Sequence, residues 1–212
     1  MRSSSLPRLQ KSQRSSCGKN RLTPILFQVS NRAGIRQISD VTIREAITRH
    51  EPSLRAAGIE SARVDIEWML VHLLGLSRSQ LQLEIGRILT SSEQRQLQKL
   101  VEQRGQRIPL QHLLGEVNFH GLRLQVDSRA LVPRPETELL AEAAIEILGK
   151  EADARVLDMG TGSGCLAISI AVACSSAHID ALDISADALS LARENAIRHQ
   201  VADRILCLKG DG

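Results

Sequence analysis

Val156-Leu157-Asp158-Met159-Gly160-Thr161-Gly162-Ser163-Gly164 is the stretch that decides the fold. An apolar run ends in an acid, three glycines follow at alternate positions, and an apolar stretch of helical length continues to about Cys174. A buried strand that turns sharply into a helix reads this way, because glycine is needed where the backbone takes positive φ or a ligand comes close. Working outward, the pattern repeats. Strands are expected at Arg155 to Asp158, His178 to Asp183 and about Ile205 to Leu208, and helices at about Gly164 to Cys174 and Ala186 to His199. Strands alternating with helices predict an α/β domain with a right-handed, parallel, doubly wound sheet.

The spacing acid-x-G-x-G-x-G differs from the dinucleotide pattern G-x-G-x-x-G, whose third glycine would fall where Cys165 stands. The difference has a chemical meaning. An acid at the strand tip repels a pyrophosphate and suits a cation. S-adenosylmethionine has no phosphate but carries a sulfonium and an ammonium, so Asp158, Gly160, Thr161, Gly162, Ser163 and Gly164 are expected to hold that cofactor. Asp183 ends the second strand 19 residues after Gly164, where a carboxylate can accept both ribose hydroxyls. It competes with Ser185 for a simpler role as cap of the next helix. Asp211, just past the third strand on the same carboxyl edge, is expected near the adenine amino group, with an ordinary turn acid as its alternative.

Upstream, Thr42-Ile43-Arg44-Glu45 reads as a capping box. Ile43, Ala46, Ile47 and Leu54 then share a helical face, and Gly58 ends the helix. A second helix starts at Ser61, with Val64, Trp68, Val71 and Leu74 spaced for burial and Gly75 as the stop. Shorter signals predict helices from Ser79 to Glu84 and from Ser92 to about Arg104, the latter capped by Thr90 or Ser91. Each alone would be marginal, so they must pack as a bundle. Val117 to Phe119 and Leu122 to Val126, joined by His120-Gly121, predict a β-hairpin. Pro135 suits the first turn of a further helix, with Leu139, Leu140, Ala143, Ala144, Ile147 and Leu148 as its apolar face. His112 and His120 have no partner constellation and read as structural.

Charge divides the chain. Its 27 basic and 24 acidic residues are unevenly spread: eight basic residues and no acid lie between Met1 and Ser39, leaving 19 basic against 24 acidic beyond. The folded part is therefore acidic, which argues against a nucleic-acid grip. With Phe27, Phe119, Trp68 and no Tyr, it also lacks a base-stacking surface. The leader has no apolar block, so it is no secretory signal. A disordered tail is favoured. The alternatives are a mitochondrial transit peptide, or a natural start at Val41 within a longer reading frame. Cys17, Cys165, Cys174 and Cys207 form no metal or disulfide pattern, which suits a reducing compartment. No apolar run is long enough to span a membrane.

From Thr42 to Gly212 the chain resembles the HemK/PrmC family of release-factor glutamine methyltransferases. The resemblance rests on Thr42-Ile43-Arg44-Glu45-Ala46, on Ala57-Gly58-Ile59-Glu60-Ser61-Ala62-Arg63 and on Pro109-Leu110-Gln111-His112-Leu113-Leu114-Gly115. Most discriminating are Leu131-Val132-Pro133-Arg134-Pro135-Glu136-Thr137-Glu138 and the glycine loop. It implies the following division: residues 1–40 a basic leader, 41–108 a helical domain that recognises release factors, 109–132 a hairpin linker, and 133–212 the first part of a Rossmann-like class I methyltransferase domain. It implies S-adenosyl-L-methionine as methyl donor and the side-chain amide of the Gly-Gly-Gln glutamine of a peptide chain release factor as acceptor. Arg134, Glu136 and Thr137 are then expected near the active site. Asp211 and Gly212 would form the adenine-side turn, where relatives often carry an aromatic residue and Gly212 has no stacking face.

The family's Asn-Pro-Pro-Tyr motif does not occur in these residues, so no catalytic residue is assigned. The chain is expected to be a fragment, inactive by itself, binding the cofactor poorly and prone to aggregate. A monomer in the cytoplasm is expected, or in the mitochondrion if the leader is a transit peptide. An adenine-N6 nucleic-acid methyltransferase, and a non-catalytic module that binds a release factor, are the alternatives.

Overall fold

The computed structural model describes residues 40–149, 151 and 153–211. The expectations for the leader and for Gly212 lie outside the described residues. Among the described residues no helix is long and apolar enough to cross a membrane.

The first half is helical: α1 (Ile43–Ala56), α2 (Ala62–Leu74), α3 (Arg78–Leu83), α4 (Ser91–Gly105) and the short α5 (Leu110–Leu114). Three helices begin with the same device. Thr42, Ser77 and Thr90 each accept an N3 amide, while Glu45, Gln80 and Glu93 return a bond to the cap's own amide. Two otherwise orphaned donors are satisfied at each start. The α1 box and the Thr90 cap of α4 are legible in the sequence, the α4 box with Glu93 is a finding of the structure, and the α3 box places that helix one residue earlier than expected. Helix α5 was not expected, since five residues are too few to show a period. Ile43, Ile47, Leu54, Ile66, Met69, Leu70, Leu81 and Leu97 fill the core of the bundle.

Helix α2 corrects the expectation for its buried face. Ala62, Ile66, Met69 and Leu70 are buried, together with Asp65 and Glu67. Val64 and Trp68 are exposed and Val71 and Leu74 only half-buried. The helix is apolar on two sides, so spacing alone does not select one. What orients it is the ion pair from Arg104 Nε to Asp65 Oδ2 at 2.7 Å, which draws the Asp65 side against α4. Trp68 is left outside with the Arg78 guanidinium over its ring.

The hairpin follows as β1 (Glu116–Phe119) and β2 (Leu122–Gln125), antiparallel, with Val117 opposite Leu124. Phe119 and Leu124 are buried in a second core shared with the α/β region. That region runs α6 (Glu136–Leu148), β3 (Arg155–Met159), α7 (Cys165–Ala173), β4 (His178–Asp183), α8 (Ala186–Arg198) and β5 (Ile205–Lys209). The three strands form one parallel sheet in the order β3-β4-β5, as alternating strands and helices require. Ala167, Ile168 and Ala171 of α7 and Ala196 of α8 share a core with Ile179 and Ala181 of β4 and Ile205 of β5. On the opposite face Leu157, Met159 and Leu206 are each more than half exposed. Among the described residues that face of the sheet is open.

Helix α6 also departs from expectation. Ala141 is its one fully buried residue, and Ala144, Ile145 and Leu148 lean on the core, whereas Leu139, Leu140, Ala143 and Ile147 are exposed. The helix is apolar almost all round. Ala141, Ala144, Ile145 and Leu148 share the contact line, and the small Ala141 is the one side chain sealed on it.

Candidate functional site

At the carboxyl end of β3 the backbone alternates in hand: Gly160, Gly162 and Gly164 have φ of 75°, 57° and 81°. Side chains rarely tolerate this region, so the three glycines set the shape of the turn. The turn is then pinned from β4. The Leu182 carbonyl accepts both the Gly160 and the Thr161 amides, at 2.8 and 3.0 Å, and the Gly164 amide closes back onto the Thr161 carbonyl at 2.9 Å.

The three glycines are not equivalent. A Cβ on Gly160 would meet nothing within 4 Å, and one on Gly162 only the Gly160 carbonyl at 3.9 Å and Ala130 Cβ at 4.0 Å. These two leave open space above the turn. A Cβ on Gly164 would meet Ile168 Cδ1 at 3.0 Å, Ala192 Cβ at 3.1 Å and Ala192 Cα at 3.3 Å. Gly164 therefore serves the seating of α7 against α8, while Gly160 and Gly162 border the open side of the turn. Thr161 and Ser163 are buried as whole residues, at 4% and 2% exposure.

Both acids converge on this turn. Asp158 is buried at the tip of β3, and its Oδ2 accepts the Thr161 hydroxyl at 2.7 Å. Burial pushes its carboxyl above the usual range, against the pull of that hydroxyl and of the Ala167 amide; the nearby Asp183 charge pushes the same way as burial. Asp183 Oδ2 accepts the Gly162 amide and its Oδ1 the Ser185 amide, each at 2.9 Å. The capping of α8 itself falls to Ser185, whose hydroxyl accepts the Ala188 amide at 3.2 Å. Asp183 is thus a brace between two crossover turns. Each of its oxygens already holds one donor and keeps a lone pair for another. Asp211 is exposed; the preceding Gly210 amide donates to the Asp183 carbonyl at 3.1 Å, which puts Asp211 at the same strand edge.

The turn is a ledge rather than an enclosed pocket. A cavity of about 550 Å³ lies along Arg155, His178 and Asp180 at the other end of the strands. Arg134 and Glu136 are exposed and Thr137 half-buried at the start of α6, where the Thr137 amide donates to the Arg134 carbonyl at 3.0 Å. Among the described residues no hydrogen bond joins these three to the glycine turn. Their link is Ala130, beside Gly162 and four residues before Arg134. Arg134 lines a cavity of about 410 Å³ with Pro109, His112, Pro133 and Pro135. The Nε2 atom of His112 is buried without a hydrogen-bond partner among the described residues.

Several polar residues around the turn escape a reading by motif. Arg129 binds Asp127 and Glu194 together and thereby fixes the segment carrying Ala130. Those bonds hold the Asp127 and Glu194 carboxyls below, and the Arg129 guanidinium above, their usual ranges. Glu138 Oε1 accepts the His120 amide at 3.1 Å, tying the hairpin turn to α6. Asn195 is fully buried on α8. One sequence signal marks it: a polar residue in phase with Ala188, Leu191 and Ala192 on an otherwise apolar helix face.

Residues 45–115 match the PrmC N-terminal domain and residues 136–211 the methyltransferase small domain. A release factor glutamine methyltransferase of Deinococcus radiodurans is 45% identical over 154 residues, covering 73% of this chain and 55% of that protein. One from Chlorobaculum tepidum is 44% identical over 158 residues, covering 72% and 54%. A solved methyltransferase from Geobacter sulfurreducens, in complex with S-adenosyl-L-homocysteine, is 29% identical with a TM-score of 0.32 over 37% of this chain and 30% of that one. The chain spans about half the length of the curated relatives it matches. With a PrmC N-terminal domain ahead of a methyltransferase small domain, and relatives of one kind across both, the chain belongs to the HemK/PrmC family of release factor glutamine methyltransferases.

Proposed function

We propose that this chain supplies the methyl-donor ledge and the partner-recognition bundle of an enzyme that methylates the glutamine of the Gly-Gly-Gln motif in peptide chain release factors. The observation that carries the donor half is the glycine turn with two carboxylates beneath it. Gly160 and Gly162 leave room for an adenosyl group to lie against the backbone. Asp183 has lone pairs to spare for ribose hydroxyls. Asp158 is an acid held in a buried place, where its charge is costly until a cation stands nearby. S-adenosylmethionine supplies an activated methyl on a sulfonium, and the residues present suit its positive charge. Asp211 is proposed for the adenine side.

The acceptor half rests on kinship. Residues 41–108 are proposed to recognise the release factor, residues 109–132 to link, and residues from 133 onward to carry the donor site. Arg134, Glu136 and Thr137 are proposed to border the acceptor. An amide nitrogen is a weak nucleophile because its lone pair is delocalised. Acceptors for both of its hydrogens, held in line with the methyl, would do the catalytic work by positioning and electrostatics.

The test joins this chain to the portion of the Deinococcus radiodurans relative that the match does not cover. The fusion is incubated with a release factor and S-adenosylmethionine, and the Gly-Gly-Gln peptide is weighed by mass spectrometry. A gain of one methylene on that glutamine is expected. Its absence, in a fusion that binds S-adenosylhomocysteine, sinks the acceptor assignment; failure to bind sinks the donor assignment.

A further inference from the structure

Asn195 lies at 0% exposure in the last turn of α8, seventy positions from the hairpin and more than thirty from the glycine turn. It satisfies every polar atom of its side chain on those two distant backbones. Its Oδ1 accepts the Gln125 amide at 2.8 Å, and its Nδ2 donates to the Gln125 carbonyl at 2.9 Å and to the Ser163 carbonyl at 3.0 Å. The side-chain amide therefore treats Gln125 as a neighbouring strand would, and spends its second hydrogen on the turn. A buried amide of this kind is costly unless fully bonded, and here it is fully bonded.

Its surroundings reinforce the arrangement. His199 Nε2 meets the Arg123 carbonyl at 3.0 Å, so α8 side chains satisfy both outward-facing positions of β2. Glu194, the preceding residue, holds Arg129 and through it the segment that places Ala130 at Gly162. Ala192, one turn earlier, is what Gly164 packs against. The hairpin in turn is anchored to the helical half, because the Val126 amide donates to the Gly115 carbonyl at 3.1 Å directly after α5.

We propose that Asn195 is a positioning residue for the methyl-donor turn: through the Ser163 carbonyl it fixes the Gly160–Gly164 backbone to the hairpin, so that a displacement of the hairpin is felt at the cofactor ledge. The functional half rests on the donor reading above; the mechanical half does not.

The test is amide hydrogen exchange, read by mass spectrometry on this chain in the wild type, Asn195→Leu, Leu191→Ala and Gln125→Pro. Asn195→Leu keeps the number and branching of the side-chain heavy atoms and removes all three bonds. Leu191→Ala weakens the same helix at a buried site with no bond to the turn. Gln125→Pro removes the hairpin's bond to Asn195 Oδ1 from the hairpin side and leaves the sequence of α8 unchanged. The amides of Gly160, Thr161, Gly162 and Gly164 are all bonded and serve as reporters. Asn195→Leu and Gln125→Pro are expected to speed their exchange by roughly tenfold, as loss of about one net hydrogen bond would. Leu191→Ala is expected to speed α8 and leave the reporters near wild type, and α1 to α4 should stay protected in all four.

Unchanged reporters in both Asn195→Leu and Gln125→Pro overturn the proposal, as does an equal response to Leu191→Ala. Should Asn195→Leu fail to fold, Gln125→Pro decides alone. A parallel titration of the fusion described above with S-adenosylhomocysteine separates the two readings. No binding by the fusion without substitutions removes the donor reading while the exchange pattern still judges Asn195. Binding that weakens in Asn195→Leu and Gln125→Pro, but not in Leu191→Ala, supports both.

Discussion

Replacing Gly164 by alanine should cost the chain much more stability than replacing Gly160, although both have similar positive φ. At Gly160, with φ of 75° and open space around a new Cβ, only the backbone strain is added; holding an L-residue there costs about 1–2 kcal/mol. At Gly164 the same strain applies at φ 81°, and the methyl also arrives 3.0 Å from Ile168 Cδ1 and 3.1–3.3 Å from Ala192. Ile168 can turn away, but the Ala192 Cα is backbone, so α7 and α8 must separate by a few tenths of an ångström. Overpacking of a tight contact adds about 1–3 kcal/mol, for a total of about 2–5 kcal/mol. Urea midpoints of both variants at constant m-value measure the difference. The ligand readout should run the other way: Gly160→Ala, the milder change for folding, fills the ledge and should abolish S-adenosylhomocysteine binding in any form of the protein that binds it. Equal destabilisation by the two substitutions would refute the division of the turn into a ligand side and a packing side.

Three further outcomes are expected. Burial raises the Asp158 carboxyl above its ordinary value of 3.8, so the native state holds that proton more tightly than the unfolded chain; the contribution is complete below 3.8 and is lost as pH rises through the native value. Urea midpoints of Asp158→Asn relative to wild type should therefore shift in favour of the variant as pH rises above 3.8, and a flat difference would contradict the buried-acid reading. Arg104→Met should cost about 3 kcal/mol or more because it leaves Asp65, 7% exposed at its side chain, charged and unpaired; a urea midpoint within about 1 kcal/mol of wild type would show that water reaches Asp65. Leu206→Lys, on the open face of the sheet, should lower binding of a hydrophobic dye and reduce self-association in light scattering without loss of helical circular dichroism, whereas no change in either would mean that face is covered in solution.

The α/β half was readable because its signals are local and redundant. A strand, an acid, alternate glycines and an apolar helix follow one another within twenty residues, and each alone would predict the next. The box of α1 and the Thr90 cap of α4 were readable for the same reason, since Thr42 is three positions from Glu45 and Thr90 adjoins the helix it caps. The faces of α2 and α6 were not, because both helices are apolar on more than one side, and the orientation of α2 is set at a distance, by Arg104 reaching Asp65. At the site, the sequence separated the glycines and acids from their background but could not rank them. The tight seat of Gly164 depends on Ala192, and the double task of Asp183 depends on where the Gly162 and Ser185 amides come to lie. Asn195 left only the faint mark of a polar residue in an apolar phase, since its partners, Gln125 and Ser163, are chosen by the fold.

The glycine turn borrows its shape from chain that comes later. The Leu182 carbonyl receives two of its amides and the Asp183 carboxylate a third. As the chain is synthesised, residues 160–164 therefore have no template until β4 has emerged and aligned beside β3, some twenty positions on. The ledge is a late product of folding, completed by the second crossover rather than written into the first, and peptides ending before Leu182 should hold this stretch without form.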